Sequence, residues 1–201
     1  MTNQRVYIVD DDEAMRDSLL WLLESQGFVV TAFASAEDFL AACREGMTGC
    51  IVLDVRMPGM SGLELYEKLN ERRCLLPVIF ITGHGDVPMA VSALKKGAVD
   101  FIEKPFSDKD MLRLIEQCME LDRNNRDKQQ QTSATARRLA SLTEREVEVM
   151  DQILAGKLNK QIADVLNISI KTVEVHRSRI MDKMAVRTVA ELVQAVMRGR
   201  Q

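Results

Sequence analysis

The sequence predicts an α/β domain with a doubly wound, five-stranded parallel sheet, followed by an all-α domain of four helices. Three features of the chain lead to this prediction. Short apolar, β-rich runs alternate with amphipathic stretches over the first 121 residues. Residues 122–138 contain no large apolar side chain. From Leu139 onward, the apolar residues recur at helical spacing.

The five strands are predicted from runs that are apolar at nearly every position. A strand buried on both faces of a parallel sheet has this pattern, whereas a half-exposed strand alternates polar and apolar residues. About 120 residues suits one such domain. The predicted strands are residues 6–9, 28–33, 50–54, 77–82 and 99–102.

Helices are predicted after the strands from apolar residues at helical spacing. Asp12 and Ser35 are suited to cap two of them, because their side-chain oxygens can accept hydrogen bonds from free backbone amides. Gly27 and Gly97 are suited to end two of them. The predicted helices are residues 14–26, 63–72 and 87–96, with one more after Ser35 and one after Ser107.

Residues 122–138 are rich in Gln, Asn and charged side chains, which predicts a solvated linker. The same stretch lacks Gly and Pro, so a continuation of the preceding helix stays open as an alternative. The predicted organisation is a first domain over residues 1–121, a solvated linker over 122–138 with a helix as the alternative, and a second domain over 139–201.

The second domain is predicted to hold four helices. Thr143 and Glu146 have the spacing of a capping box at the start of the first helix, which ends near Gly156. A short helix and a longer helix follow, separated by a tight turn, which is the arrangement of a helix-turn-helix. These two and the final helix cover residues 159–166, about 170–184 and about 188–198.

The net charge of -3 conceals a difference between the two halves of the chain. Residues 1–121 carry 12 basic and 20 acidic side chains, whereas residues 139–201 carry 10 basic and 8 acidic ones, which predicts different partners. The four cysteines form no C-x-x-C pair and have no histidine at metal spacing, so free thiols are expected. Without a membrane-spanning run or a secretory signal pattern, a cytoplasmic location away from the membrane is expected.

Charged and hydroxyl side chains fall at the carboxyl ends of the predicted strands, where open parallel sheets bind ligands. Strand one ends at Asp10 and Asp11, strand three at Asp54 and strand four at Thr82, and Lys104 follows strand five. In the flavodoxin-like strand order, strands one and three are neighbours, so these groups would converge on one crevice. Taken singly, each acidic residue is more often a solvated loop residue or a helix cap.

Three converging carboxylates repel one another, and a bound Mg²⁺ would relieve that repulsion because it prefers oxygen ligands. Asp11 and Asp54 are suited to direct ligation, and Asp10 to ligation directly or through water. A carboxylate can also accept a phosphoryl group, with Lys104 neutralising charge on the transferred oxygens and Thr82 hydrogen-bonding the bound group. The residues therefore predict a phosphoacceptor site that uses Mg²⁺.

The strings VDDDE, LDVRMPGMSG, ITGHGD and IEKPF closely resemble the receiver domain of bacterial two-component response regulators. The resemblance covers most of residues 4–121, is greatest to the FixJ branch, and implies a CheY-like fold. It implies that a cognate histidine kinase phosphorylates Asp54. It also implies that Mg²⁺ is held by Asp10, Asp11, Asp54 and the backbone carbonyl of Arg56.

The same resemblance implies a conformational switch. Thr82 and Lys104 would form the switch pair, and the ring of Phe101 would turn inward on phosphorylation. The predicted helix 87–96 and strand five would then form a homodimer face that includes Val91 and Lys95. Plain core packing is the alternative for Phe101 and for Val91.

The strings LTEREVEV, NKQIADVL and KTVEVHRSRI resemble the LuxR/FixJ type of helix-turn-helix, over nearly all of residues 139–201. The resemblance implies double-stranded promoter DNA as a partner, and RNA polymerase is a further expected partner. One face of the longer helix would enter the major groove, and this face carries Lys171, Glu174, Val175 and Ser178. The residues suited to phosphate contacts are Lys160, Thr172, His176, Arg177 and Lys183. Many family members have Lys in place of Glu174, so the base sequence that is recognised is expected to differ.

Two other functions compete with a DNA-binding response regulator. A hydrolase could use Asp54 as its nucleophile, but it would need a placed general acid or base, and His84 is better explained as a loop residue. A receiver could instead act through protein contacts alone, its helical domain being a bundle with a charged, solvated face. We expect a transcription factor rather than an enzyme, with self-phosphorylation and slow self-dephosphorylation as its only chemistry.

Overall fold

The computed structural model describes residues 5–83, 91, 92 and 94–199 of the chain. The chain divides into two compact units, Met1–Asn125 and Arg126–Gln201. Among the described residues, none of the helices combines the length and the apolar character needed to cross a bilayer.

The first unit is built on a parallel sheet of five strands. Their order across the sheet is β2-β1-β3-β4-β5, and every neighbouring pair is parallel. This confirms the predicted flavodoxin-like, CheY-like order, in which the first and third strands are neighbours. The strands are β1 (Arg5–Val9), β2 (Val29–Phe33), β3 (Cys50–Asp54), β4 (Val78–Thr82) and β5 (Asp100–Glu103).

Helices follow the strands as predicted, with ends that differ by a residue or two. Asp12 caps the first helix by accepting from the amide of Ala14, and Ser35 caps the second by accepting from the amide of Asp38. In the predicted helix 87–96, residues 91, 92, 94 and 95 are helical, and 87–90 and 93 lie outside the described residues. The helices whose two ends both lie among the described residues are α1 (Glu13–Ser25), α2 (Ala36–Ala42), α3 (Gly62–Glu71) and α4 (Asp108–Ala140).

The sheet has an apolar core on each face. Tyr7 and Val9 of β1 pack with residues of α2 and α3 in one core, and Val6 and Ile8 pack with residues of α1 and α4 in the other. All five residues of β3 are buried. Burial on both faces explains why the strands are apolar at consecutive positions rather than at alternate ones.

Helix α4 continues through the whole of the predicted linker, so the helical alternative is correct. The expectation that this stretch is solvated is wrong for two residues. Asp122 is 2% exposed, and its Oδ2 accepts a hydrogen bond of 3.0 Å from the amide of Gly49. Thr135 is 8% exposed, and its hydroxyl donates to the carbonyl of Gln131 at 2.8 Å. Each of the two buried polar side chains has a hydrogen-bond partner, as buried polar groups generally do. The exact domain boundaries stay a prediction.

The second unit contains the C-terminal part of α4 and four further helices. Thr143 and Glu146 form the predicted capping box, with the Thr143 hydroxyl and the Glu146 carboxylate each accepting from the other residue's amide. The helices of this unit share an apolar core that includes Val149, Ile162 and Leu192. The helices are α5 (Glu144–Leu154), α6 (Asn159–Leu166), α7 (Ile170–Met184) and α8 (Val189–Gly199).

Candidate functional site

The candidate phosphoacceptor site lies where β1 and β3 end side by side. Val9 is paired with Leu53, so Asp10 and Asp54 each extend one position beyond that pair at the same edge of the sheet. The amide of Asp10 donates to the carbonyl of Phe33 at 3.3 Å, which continues the pairing with β2 past the end of the strand. The parallel arrangement therefore brings together two aspartates that are 44 positions apart in the sequence.

Three carboxylates meet at this edge. Asp10, Asp11 and Asp54 each offer an oxygen that lies within 4.8 Å of the other two. Asp10 is fully buried and Asp54 is 8% exposed, whereas Asp11 is exposed. The cluster is therefore closed towards the core and open towards solvent, so a small ion or a phosphoryl group can approach it from one side.

Lys104 partly balances the negative charge. Its ammonium lies 3.1 Å from Oδ2 of Asp10 and 3.5 Å from Oδ1 of Asp54. Its backbone amide donates to the carbonyl of Thr82 at 2.8 Å, which fixes the residue beside the end of β4. Burial lowers the pKa of Lys104, but hydrogen bonds and attraction from Asp10 and Asp54 outweigh that effect, so its pKa is raised overall and it stays charged.

The pKa of Asp54 is raised to about 6. Burial is the largest cause and repulsion from Asp10 is the next, while Lys104 acts in the opposite direction. One ammonium therefore does not compensate for three carboxylates. A divalent cation with oxygen ligands would supply the missing charge, so this donor set fits Mg²⁺.

The other predicted receiver residues occupy distinct environments. Thr82 is fully buried at the end of β4, and its hydroxyl donates to the carbonyl of Gly83 at 3.1 Å. Phe101 of β5 is half-buried against the core that contains Tyr7. Val91 and Lys95 are both exposed, and their part in a dimer face stays a prediction. His84 lies outside the described residues. Arg56, the predicted carbonyl ligand, has an exposed side chain.

Two residues at this site were not predicted from the sequence. The guanidinium of Arg16 in α1 donates to the carbonyls of Asp10 and Asp11 at 2.9 and 2.8 Å. The carboxylate of Glu37 in α2 accepts from the amide of Met60 at 2.9 Å, in the loop that follows β3. Both residues bond to backbone atoms, and such bonds leave no periodic or motif-like signal in a sequence.

The helix-turn-helix is formed by α6, a turn and α7. Asn167 ends α6 in the left-handed conformation with φ of 52°, and Ser169 caps α7 by accepting from the amide of Thr172. On α7, Val173, Ile180 and Met184 are buried and pack into the core of the domain. The predicted base-contacting residues are all exposed, namely Lys171, Glu174, Val175 and Ser178.

The residues predicted to contact phosphates differ in their exposure and in their hydrogen bonds within the domain. Lys160 is exposed, Arg177 and His176 are half-buried, and the Thr172 hydroxyl lies 2.8 Å from that of Ser169. Nδ1 of His176 is buried without a hydrogen-bond partner among the described atoms.

Lys183 has an additional role within the domain. Its ammonium lies 2.7 Å from the Glu146 carboxylate and 3.0 Å from the carbonyl of Ser141. A contact to phosphate would therefore compete with an internal ion pair.

Comparisons with known proteins agree with this architecture. Residues 6–116 match the response regulator receiver domain, and residues 140–196 match the luxR family of bacterial regulatory proteins. The transcriptional regulatory protein FixJ of Bradyrhizobium diazoefficiens is 45% identical over 198 residues, which is 98% of this chain and 97% of that protein.

Two solved structures show the same likeness. The response regulator StyR is 44% identical with a TM-score of 0.88, and the match covers 98% of this chain and 100% of that one. Full-length FixJ from B. japonicum is 44% identical with a TM-score of 0.62, over 100% of this chain and 98% of that one.

The fold and the site define a receiver domain followed by a LuxR-type DNA-binding domain, which is the composition of a transcriptional response regulator. The chain belongs to the response regulator receiver family, and it is homologous to the FixJ-type transcriptional regulators.

Proposed function

We propose that this chain is the response regulator of a two-component system, which accepts a phosphoryl group from a histidine kinase on Asp54 and binds promoter DNA as a homodimer. The observation that supports the proposal is the convergence of Asp10, Asp11 and Asp54 within 4.8 Å. Lys104 beside them adds a cation at 3.1 and 3.5 Å from two of the carboxylates. This arrangement suits phosphoryl transfer, in which charge on the transferred oxygens must be neutralised.

The proposed metal is Mg²⁺, held by Asp10, Asp11, Asp54 and the backbone carbonyl of Arg56. When bound, it would neutralise charge on the oxygens of the phosphoryl group. A site with three carboxylates and one ammonium has the negative charge that such an ion requires.

In the proposed transfer, a carboxylate oxygen of Asp54 attacks phosphorus as the bond from phosphorus to the donor breaks. The Lys104 ammonium is placed to pair with the transferred oxygens, since it already lies 3.5 Å from the Asp54 carboxylate. Thr82 would exchange its present hydrogen bond to Gly83 for one to the phosphoryl group. Phosphorylation adds about -1.5 to -2 charge and three acceptor oxygens, which can favour one of two conformations.

The proposed output is a dimer that binds DNA. Thr82 and the ring of Phe101 would change position together and alter the face that carries Val91 and Lys95. Pairing of the receivers raises the effective concentration of the second DNA-binding domain at a two-part operator. Helix α7 would then occupy the major groove, and the bound protein would act on RNA polymerase. A cytoplasmic location stays a prediction from the sequence.

The test is incubation of the protein with acetyl phosphate and Mg²⁺, followed by intact mass measurement. We expect one phosphoryl group per chain on the parent protein and none on Asp54→Asn. Sustained hydrolysis of an added phosphate ester would instead support the hydrolase alternative. A parent protein that stays unmodified would contradict the proposal.

A second experiment tests the output. Footprints on genomic promoter fragments should show salt-sensitive binding by the parent that strengthens on phosphorylation, and Asp54→Asn should not respond to the phosphodonor. If neither protein binds DNA under either condition, a receiver that acts through protein contacts alone becomes the better explanation.

A further inference from the structure

The first unit contains two pairs of neighbouring thiols. Sγ of Cys43 lies 4.0 Å from Sγ of Cys74, and the two residues are 31 positions apart in the sequence. Cys50 and Cys118 form the other pair. The hydrogen bond between their side chains is the largest of the causes that raise the pKa of the Cys50 thiol. None of the four cysteines forms a disulfide in the structure.

The two pairs differ in their access to solvent. Cys50 and Cys118 are both 0% exposed within the core shared by α1 and α4. Cys43 and Cys74 are half-buried at the edge of the other core. A small oxidant can reach Cys43 and Cys74 without unfolding of the domain, whereas Cys50 and Cys118 are enclosed by the core.

The backbone around the accessible pair is anchored on both sides. Cys43 is the C-terminal cap of α2, and its amide donates to the carbonyl of Phe39 at 2.8 Å. Cys74 lies just after α3, and its amide donates to the carbonyl of Leu69 at 2.9 Å. A disulfide requires the sulfurs to approach to about 2.05 Å, so closing the gap from 4.0 Å needs about 2 Å of movement.

We propose that Cys43 and Cys74 are a modification site, at which a hydroperoxide oxidises the two thiols to an intramolecular disulfide. Disulfides in reducing compartments are usually transient and redox-sensing, which suits a pair of free thiols that is only half-buried. The disulfide would join the C-terminus of α2 to the loop after α3.

The chemistry proceeds in two displacements. The thiolate of Cys74 attacks one oxygen of hydrogen peroxide, so that an S–O bond forms, the O–O bond breaks and the second oxygen leaves as water after protonation. The sulfur of Cys43 then loses its proton and attacks Cys74, forming the S–S bond and releasing the second water. Two thiols lose two electrons and two protons, and one peroxide becomes two waters.

The order of the two sulfurs follows from their hydrogen bond. The Cys43 thiol donates to the sulfur of Cys74, and burial together with Cys74 raises the pKa of Cys43 to about 11. Cys43 therefore stays protonated at neutral pH, with its S–H directed at the sulfur of Cys74. Cys74 is the sulfur that reacts first, and Cys43 resolves the intermediate.

The test is oxidation of the folded parent protein with hydrogen peroxide, alkylation of the remaining thiols, and tryptic digestion without reduction. Cleavage after Lys and Arg places each cysteine in a different peptide, and the four peptides are 17–44, 45–56, 74–95 and 114–123. We expect peptides 17–44 and 74–95 to be linked, and 45–56 and 114–123 to be alkylated. The oxidised protein should unfold at a temperature about 5 °C or more above that of the reduced protein, and dithiothreitol should reverse the shift.

Two single-cysteine variants test which thiols form the disulfide. Cys50→Ala removes a sealed thiol and should keep the linked peptides, whereas Cys43→Ser should lose them and leave Cys74 as a sulfenic acid that dimedone captures. The parent decides the question even if a variant fails to fold. Four alkylated thiols after oxidation, a link between peptides 45–56 and 114–123, or a link between two chains would overturn the proposal.

Discussion

The guanidinium of Arg16 holds the backbone carbonyl of Asp11 at 2.8 Å, and the same nitrogen donates to the carbonyl of Asp10 at 2.9 Å. One side chain of α1 thus fixes both peptide groups of the turn that presents two carboxylates to the site. Asp12 continues the turn, since its amide donates to Oδ1 of Asp10 at 2.8 Å. The direction of the carboxylates therefore depends on a residue that does not itself belong to the acidic cluster.

Arg16→Ala should weaken Mg²⁺ binding by about 10-fold, because residues that orient metal ligands typically contribute that much to affinity. Isothermal titration of the purified protein measures the change. Arg113→Ala removes an exposed arginine of α4 and serves as the matched control, with an affinity equal to that of the parent. Equal affinities for all three proteins would show that the turn keeps its shape without Arg16.

Asp54→Asn should stabilise the metal-free protein at neutral pH. The pKa of Asp54 in the fold is about 6, above its usual value of 3.8, so the fold favours the protonated carboxyl. Stability is then lost as the pH rises between these two values and stays low above them. Water at the open side of the site screens part of the effect, so we expect a gain of about 1–2 kcal/mol at pH 7.5 and little difference below pH 4.

Urea unfolding at several pH values in the presence of a chelator measures this dependence. Asp17→Asn, which alters an exposed carboxylate of α1, should not reproduce it. A gain for Asp54→Asn that is the same at acidic and neutral pH would mean that the charge of Asp54 is not its cause.

Gly62→Ala should destabilise the first unit strongly. A Cβ at the start of α3 would lie 2.0 Å from the backbone oxygen of Asp54 and 3.1 Å from a carbon of Leu53, so backbone must move. We expect a loss of about 2–4 kcal/mol, measured by urea unfolding. Gly27→Ala is the matched control, because a Cβ there meets nothing within 4 Å and only the φ of +83° opposes it. Its cost should be about 1 kcal/mol, and equal losses for both variants would disprove the close approach to Asp54.

Glu146→Ala should destabilise the second unit by about 2–3 kcal/mol. The carboxylate of Glu146 is 3% exposed and accepts from the Thr143 amide at 2.9 Å and from Lys183 at 2.7 Å. Its removal leaves both donors without this partner, which costs more than the hydrogen bonds themselves contribute. Glu144→Ala, in the exposed first turn of the same helix, is the control and should cost less than about 1 kcal/mol in thermal unfolding.

Two substitutions should separate base contacts from phosphate contacts. Glu174→Ala should relax the preference at one base pair, by about 1–3 kcal/mol, in binding to a set of operator variants. Lys160→Ala should weaken binding to every variant alike and reduce the slope of affinity against salt by about one charge. A change of slope for Glu174→Ala without a change of base preference would place that residue near phosphates instead.

The sequence predicted the strands and the acidic cluster, and it failed for contacts that depend on how the helices pack. The strands were predictable because both faces of the sheet are apolar, and the site was predictable because Asp10 and Asp54 end adjacent strands. The bond from Arg16 to two carbonyls, and the approach of Cys43 to Cys74, depend on how α1, α2 and α3 pack. No spacing rule encodes those distances.

The linker illustrates a different difficulty. Residues 122–138 have weak helical periodicity because they contain no large apolar residue, so pattern alone did not distinguish a helix from a coil. The buried carboxylate of Asp122 accepts a hydrogen bond from the amide of Gly49, which lies 73 positions away in the sequence. A single buried polar contact of this kind is invisible to any window of neighbouring residues.

Burial of β3 on both faces has a consequence for the alignment of the sheet. A strand that is apolar at consecutive positions does not define its own register, since a shift by one residue exchanges one apolar layer for another. Asp54 at its end removes that ambiguity, because a shift towards the interior would carry a carboxylate between two apolar layers at a large cost in hydration. The carboxylate of the candidate site thereby also marks the correct alignment of the strand while the chain folds.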